Sequence, residues 1–124
     1  MSYAVDTLKR ILATFNERYH AKMSAVISRS GIPIAWAAPD GGVQIDGFAT
    51  LAATLLGSAE AIYTGMHEAP PSRVVIESEH GMLIAESVGG KAFVIAVTPA
   101  RTDEIERGID AVSRDLRDVL RGQH

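Results

Sequence analysis

IDGFATLAATLLGSAEAIYTGMH, residues Ile45 to His67, is the stretch on which the reading of the fold turns. Its apolar residues Phe48, Leu51, Ala52, Leu55, Leu56, Ala59, Ile62, Tyr63 and Met66 recur at i, i+3, i+4 and i+7, which gathers them on one broad side of a helix. That side reads as a core face. The opposite side carries Ala53, Thr54, Gly57, Ala61 and Thr64, with Glu60 at its border as the only carboxylate or base between Gly47 and Met66. A solvent-facing helix surface is normally filled with Lys, Glu and Arg, which form helices well and cost nothing when exposed. Small residues instead let another backbone come close, so the second face reads as buried too, most simply against a partner chain. A helix central to a three-layer monomer is the alternative, and 124 residues look too few to build a layer on both sides of it.

Working outward toward the N-terminus, Pro39-Asp40-Gly41-Gly42 breaks the chain before this helix, and Asp46 suits its N-cap or first turn. Before the break lie two short β-prone runs, MSAVIS (Met23 to Ser28) and IPIAWA (Ile32 to Ala37), joined by Arg29-Ser30-Gly31. They read as a hairpin. Pro33 has no N–H to give to a ladder, which places the second run at a sheet edge. Further upstream Val5, Leu8, Ile11, Leu12, Phe15 and Tyr19 recur at helical spacing among charged residues, a first amphipathic helix over roughly Tyr3 to Tyr19.

Toward the C-terminus, Gly65 to Pro71 end the long helix, and RVVIES (Arg73 to Ser78) and MLIAES (Met82 to Ser87) read as strands around the turn Glu79-His80-Gly81. After Val88-Gly89-Gly90-Lys91 comes AFVIAVT, Ala92 to Thr98, apolar on both of its faces. A strand without a polar side belongs in the middle of a sheet. The last element is a helix capped by Thr102, with Asp103 and Glu104 in its first turn, Arg117 and Arg121 near its end, and an apolar seam at Ile105, Ile109, Val112 and Leu116. Asp103/Arg107 and Asp110/Arg114 are spaced to support it at i, i+4.

The order is α-β-β-α-β-β-β-α, an α+β chain with a five-stranded antiparallel sheet, read as a single domain over residues 1–124 with no internal repeat or linker. With 47% hydrophobic and 22% charged residues the balance is globular, and a net charge of −3 argues against a nucleic-acid binder. The chain has no cysteine, so disulfides, thiolate nucleophiles and Cys-based zinc sites fall away together. The N-terminus lacks an uninterrupted apolar h-region, and no run approaches the roughly 20 apolar residues of a membrane helix. A soluble, cytoplasmic protein without membrane insertion is the expectation.

The hairpin SAVISRSGIPIAWA, the Ala/Leu-rich LAATLLGSAEAIY, the three strands of SRVVIESEHGMLIAESVGGKAFVIAV and the closing amphipathic helix together resemble the Roadblock-type dynein light chain domain, over about Met23 to Leu120. The resemblance implies a profilin-like sandwich with the strands in the order second, first, fifth, fourth, third, in agreement with Pro33 at an edge and Ala92 to Thr98 at the centre. It also implies a homodimeric platform for other proteins or, as the alternative, a heterodimeric adaptor subunit, the partners being above all Ras-like small GTPases, as in prokaryotic members of the family.

In that order Arg73 to Ser78 is the second edge, and an unpaired VVI run there invites association. Two copies paired antiparallel about Val75 set Val74 against Ile76 and Arg73 against Glu77 of the partner, opposite charges twice over. The expected homodimer interface is therefore Ala53, Gly57, Ala61, Arg73, Val74, Val75, Ile76 and Glu77.

The residues suggest little chemistry. His20, His67, His80 and His124 show no metal-ligand spacing. Glu77-Ser78-Glu79-His80 with Glu86 across the hairpin is the nearest thing to a hard-cation or general-base site, but alternation splits its members between two faces, and a solvated turn explains them better. No serine sits in a nucleophile elbow, and Gly41-Gly42 and Gly89-Gly90 do not match a phosphate-binding loop. Trp36 suits either a binding anchor or a core or interface filler, and Arg29 either an arginine finger or a solvated turn residue. No catalytic residue, metal or cofactor is expected; a small-ligand sensor and an enzyme built on Glu77 to Glu86 are the competing readings.

Overall fold

The computed structural model describes residues 2–41, 44–99 and 102–122; Gly42 and His124 lie outside them. Helix α1 spans Ser2–Tyr19, strands β1 and β2 span Met23–Ser28 and Pro33–Ala37, and helix α2 spans Ile45–Gly65. Strands β3 (Arg73–Ser78), β4 (Gly81–Ser87) and β5 (Ala92–Thr98) follow, and helix α3 (Asp103–Arg121) closes the chain. The sheet runs β2-β1-β5-β4-β3, with every neighbouring pair antiparallel. β5, buried along almost its whole length, lies in the middle. Pro33 opens an edge strand, where a missing N–H interrupts no ladder.

Alternation along the strands sends side chains to two separate cores. On one side Val26, Ile84, Val94 and Ala96 meet Leu8, Leu12 and Phe15 of α1 and Ile105, Ile109 and Leu116 of α3. The amphipathic patterns of both helices are satisfied there, and two polar side chains help dock α1: Asn16 Nδ2 donates to the Ala37 carbonyl at 2.9 Å, and Ser24 Oγ to the Leu12 carbonyl at 3.4 Å. Where α1 and α3 meet, a Cβ on Gly108 would stand 2.4 Å from the Tyr19 ring, so the contact requires a residue without a side chain. The α3 N-terminus is capped as its sequence indicates, Thr102 Oγ1 accepting the Ile105 N–H at 3.1 Å.

On the other side Met23, Ala25, Ile27, Phe93 and Ile95 carry α2 alone, through Ala49, Ala52 and Leu56. The molecule is thus two helices, a sheet and one helix, three layers in which α2 is an outer layer rather than a central one. Of the two places expected for Asp46, the structure takes the first turn rather than the N-cap. Gln44 at the N-cap position makes no side-chain cap bond.

Candidate interaction surface

α2 does not place its whole apolar side on the sheet. Ala49, Ala52 and Leu56 are buried, whereas Leu51 is 71% exposed, Ile62 61% and Met66 55%, and from Ala61 to the end of the helix every residue is exposed. The face expected to be core is split: one margin, with Ile45, Phe48, Ala49, Ala52 and Leu56, meets the sheet, and Leu51 and Ile62 on the other margin face solvent. The contact is made through Ala49, Ala52 and Leu56, while Leu51 and Ile62 lie outside it, where one helix is too narrow a cover. The sheet is correspondingly under-covered toward β3, where Val74 and Leu83 are only partly buried and Ile76 is 42% exposed.

This corrects one expectation about the helix. By length and composition α2 is, among the described residues, the one helix apolar enough to cross a membrane, although no such run was anticipated. Core helices of soluble proteins pass the same test, because a helix buried on two sides leaves no place for charge. Here one side lies on the sheet and a second apolar margin lies open.

The residues expected at a dimer interface fall in different places. Ala53 packs against its own sheet and against the β1–β2 turn, where a Cβ on Gly31 would lie 3.6 Å from its own. Gly57 borders a small cleft beside Phe93, and Ala61 is exposed beyond it. Val74 and Val75 are half-buried on opposite sides of the sheet, and Ile76 and Glu77 are exposed at the edge.

Arg73 is engaged within its own chain. Its Nε donates to Glu86 Oε1 at 2.6 Å, its Nη2 also bonds Asp110 of α3, and Glu106 lies 3.9 Å away. Burial pushes the guanidinium pKa down, but the hydrogen bonds to Asp110 and Glu86 outweigh it and hold the group above its ordinary value. Asp110 therefore serves to tie β3 to α3. Three acids of its own chain surround the side chain expected to meet Glu77 of a partner.

Arg29 is exposed in the β1–β2 turn and also engaged within its own chain. Its Nη1 lies 2.5 Å from Glu60 Oε2 and its Nη2 donates to Ser87 Oγ at 2.8 Å, so it staples the β1–β2 turn to α2 and to the end of β4. Glu60, the lone acid of the helix, is its anchor. Gly31, with φ of +93°, gives the turn a conformation that side chains resist and brings it against the α2 backbone at Thr50. Glu79 and His80 pair at 2.8 Å on the open β3–β4 turn, while Glu86 belongs to the Arg73 cluster, so the suggested acidic constellation is split between two sites. Trp36, on edge strand β2, is 40% exposed with Lys9 Nζ 6.0 Å from its ring.

A family model, the Roadblock/LC7 domain, matches residues 7–98. The chain belongs to the Roadblock/LC7 family. Among solved structures it is similar to an MglB with tetrameric arrangement, at TM-score 0.86 and 18% identity over 95% of this chain and 90% of that one. It is similar also to Myxococcus xanthus MglB, at TM-score 0.87 and 15% identity over 94% and 90% of the two chains. Profilin IB of Acanthamoeba castellanii shares the architecture more distantly, at TM-score 0.58 and 18% identity over 94% of this chain and 98% of its own. At these identities the likeness concerns the fold. Comparison with curated proteins gives no match.

Proposed function

We propose that this Roadblock/LC7 chain is a non-catalytic, cytoplasmic, dimeric platform that scaffolds or regulates a Ras-like small GTPase. The observation that carries the reading is the open margin of α2. Leu51 and Ile62 on the helix and Met66 at its C-cap are large and exposed, and the edge strand β3 offers the partly exposed Val74 and Ile76 on the same side of the sheet. A second copy laid over this side would cover both. The tetrameric arrangement of a structurally similar MglB supports assembly as the use of such a surface. The low charge of α2 then serves assembly rather than insertion into a bilayer.

Regulation, on this reading, works by repositioning groups of the GTPase, since the one arginine at a hairpin tip, Arg29, is spent on Glu60 and Ser87. Light scattering over a dilution series, followed by capture and single-turnover GTP hydrolysis with Ras-like GTPases of the same organism, tests both parts. A two-chain mass persisting to low concentration and a changed hydrolysis rate are expected. A monomer removes the platform, and unchanged hydrolysis by every GTPase removes the activator while leaving the scaffold.

A further inference from the structure

On the side of the sheet opposite α2, a groove of about 640 Å³ opens between the β4–β5 turn, the start of β2 and the end of α3. Its floor is apolar, formed by Ile34, Val88 and Leu120. Its rim is cationic: Lys91 comes from the turn, Arg117 and Arg121 from successive turns of α3, and among the described residues no aspartate or glutamate lines it. The rim is built rather than accidental. Arg117 Nη2 donates to the Ser87 carbonyl at 3.1 Å and lies 3.9 Å from Glu86 Oε2, which fixes the guanidinium and leaves its Nε and Nη1 N–H groups for other acceptors. The turn is closed by Val88 N–H to the Ala92 carbonyl at 3.0 Å and anchored by Arg29 N–H to the Lys91 carbonyl at 3.0 Å. Gly89, with φ of +129°, and Gly90 bring bare backbone to the rim.

Two of these cations have an ordinary explanation, since arginines at a helix C-terminus offset its partial negative charge, and Arg121 pairs with Asp118 at 2.8 Å. That explanation does not extend to Lys91, which is on another element, or to the apolar floor between the cations. We infer that the groove binds an acidic segment of a partner protein that sets an apolar side chain on Ile34, Val88 and Leu120 and its carboxylates on Lys91, Arg117 and Arg121. Charge complementarity selects this occupant: a chain of net charge −3 concentrates three cations around one apolar trough. The groove lies on the α1/α3 side, so a dimer joined through α2 and β3 displays two of them, and a monomer retains one.

The test uses the full chain and a short fluorescein-labelled peptide of Asp and Glu with a central Leu-Phe pair, read by fluorescence anisotropy. Saturable binding that weakens with added salt is expected, with at least about a tenfold loss in Lys91→Glu/Arg121→Glu, whose exposed side chains bear no part of the core. Amide shifts at Gly89 and Gly90 on titration locate the contact. Absence of saturable binding overturns the inference. So do equal affinity for a peptide lacking the Leu-Phe pair, shifts confined to other elements, and binding to phosphatidylserine vesicles with none to the peptide. Dimerisation is read independently by mass, so the two proposals fail separately.

Discussion

Replacing Leu51 and Ile62 by glutamate tests the open margin of α2 with little disturbance of the monomer. Both side chains already stand mostly in water, at 71% and 61% exposure, and leucine and glutamate are similar helix formers, so the folded monomer should change by no more than about 0.5 kcal/mol. In a dimer covering this margin each side chain gains most of the roughly 1.5–3 kcal/mol that full burial of a Leu or Ile contributes. Counting both residues on both chains, about 5 kcal/mol of association rests on them, more than a thousandfold in Kd at about 1.4 kcal/mol per tenfold. Charged replacements that desolvate on association would add to the loss. Sedimentation equilibrium on L51E/I62E should show one-chain particles where the parent shows two, with superimposable thermal melts once the parent is diluted to monomer. A double variant that associates like the parent would refute the argument, because these side chains would then not be what the assembly covers. A melt that collapses would refute it differently, by showing that α2 needs them within its own chain.

Three further outcomes follow from particular contacts. Arg73→Glu places a fourth acid among Glu86, Glu106 and Asp110, and should lower stability by roughly 2 kcal/mol, reduced from the cost of a fully buried pair because the site is partly exposed. The swap R73E/E77R should not restore it, since the lost bonds lie within one chain; urea unfolding reads both, and full recovery in the swap would reinstate the cross-chain charge pair. Gly108→Ala gains about 1 kcal/mol of helix propensity but drives a methyl into the Tyr19 ring, so net destabilisation of about 1 kcal/mol is expected, turning to a gain in a Tyr19→Ala background; a double-mutant cycle on thermal melts checks the sign. Thr102→Ala removes the acceptor for the Ile105 N–H and should cost about 1 kcal/mol by chemical denaturation.

The element order, the central place of Ala92–Thr98, the edge position of Pro33 and the Thr102 cap were all legible in the residues. Each follows from short-range rules: a period of two or 3.6, an absent N–H, a hydroxyl three residues before an amide. They need no knowledge of what lies across the molecule. The β1–β2 pairing illustrates the limit of such rules, since the run from Ile32 was read one residue longer than the strand at Pro33, and its irregularity between Val26 and Ile27 carries no local signature.

What only the tertiary structure decided is how residues far apart in the chain are brought together. Which margin of α2 meets the sheet could not be read from its own pattern, because the periodicity marks one broad apolar side and the small residues opposite leave that side without a charged border to narrow it. Packing settles it: the contact that buries Ala49, Ala52 and Leu56 leaves Leu51 and Ile62 exposed. The pairings of Arg29 with Glu60 and of Arg73 with Asp110 span 31 and 37 residues, and the groove joining Lys91 to Arg117 and Arg121 joins a turn to a helix end. Charge on an exposed surface is compatible with many partners in the unfolded chain. Sheet order and the crossing of α3 over it choose among them, and those arise from the summed burial of two cores rather than from any single segment.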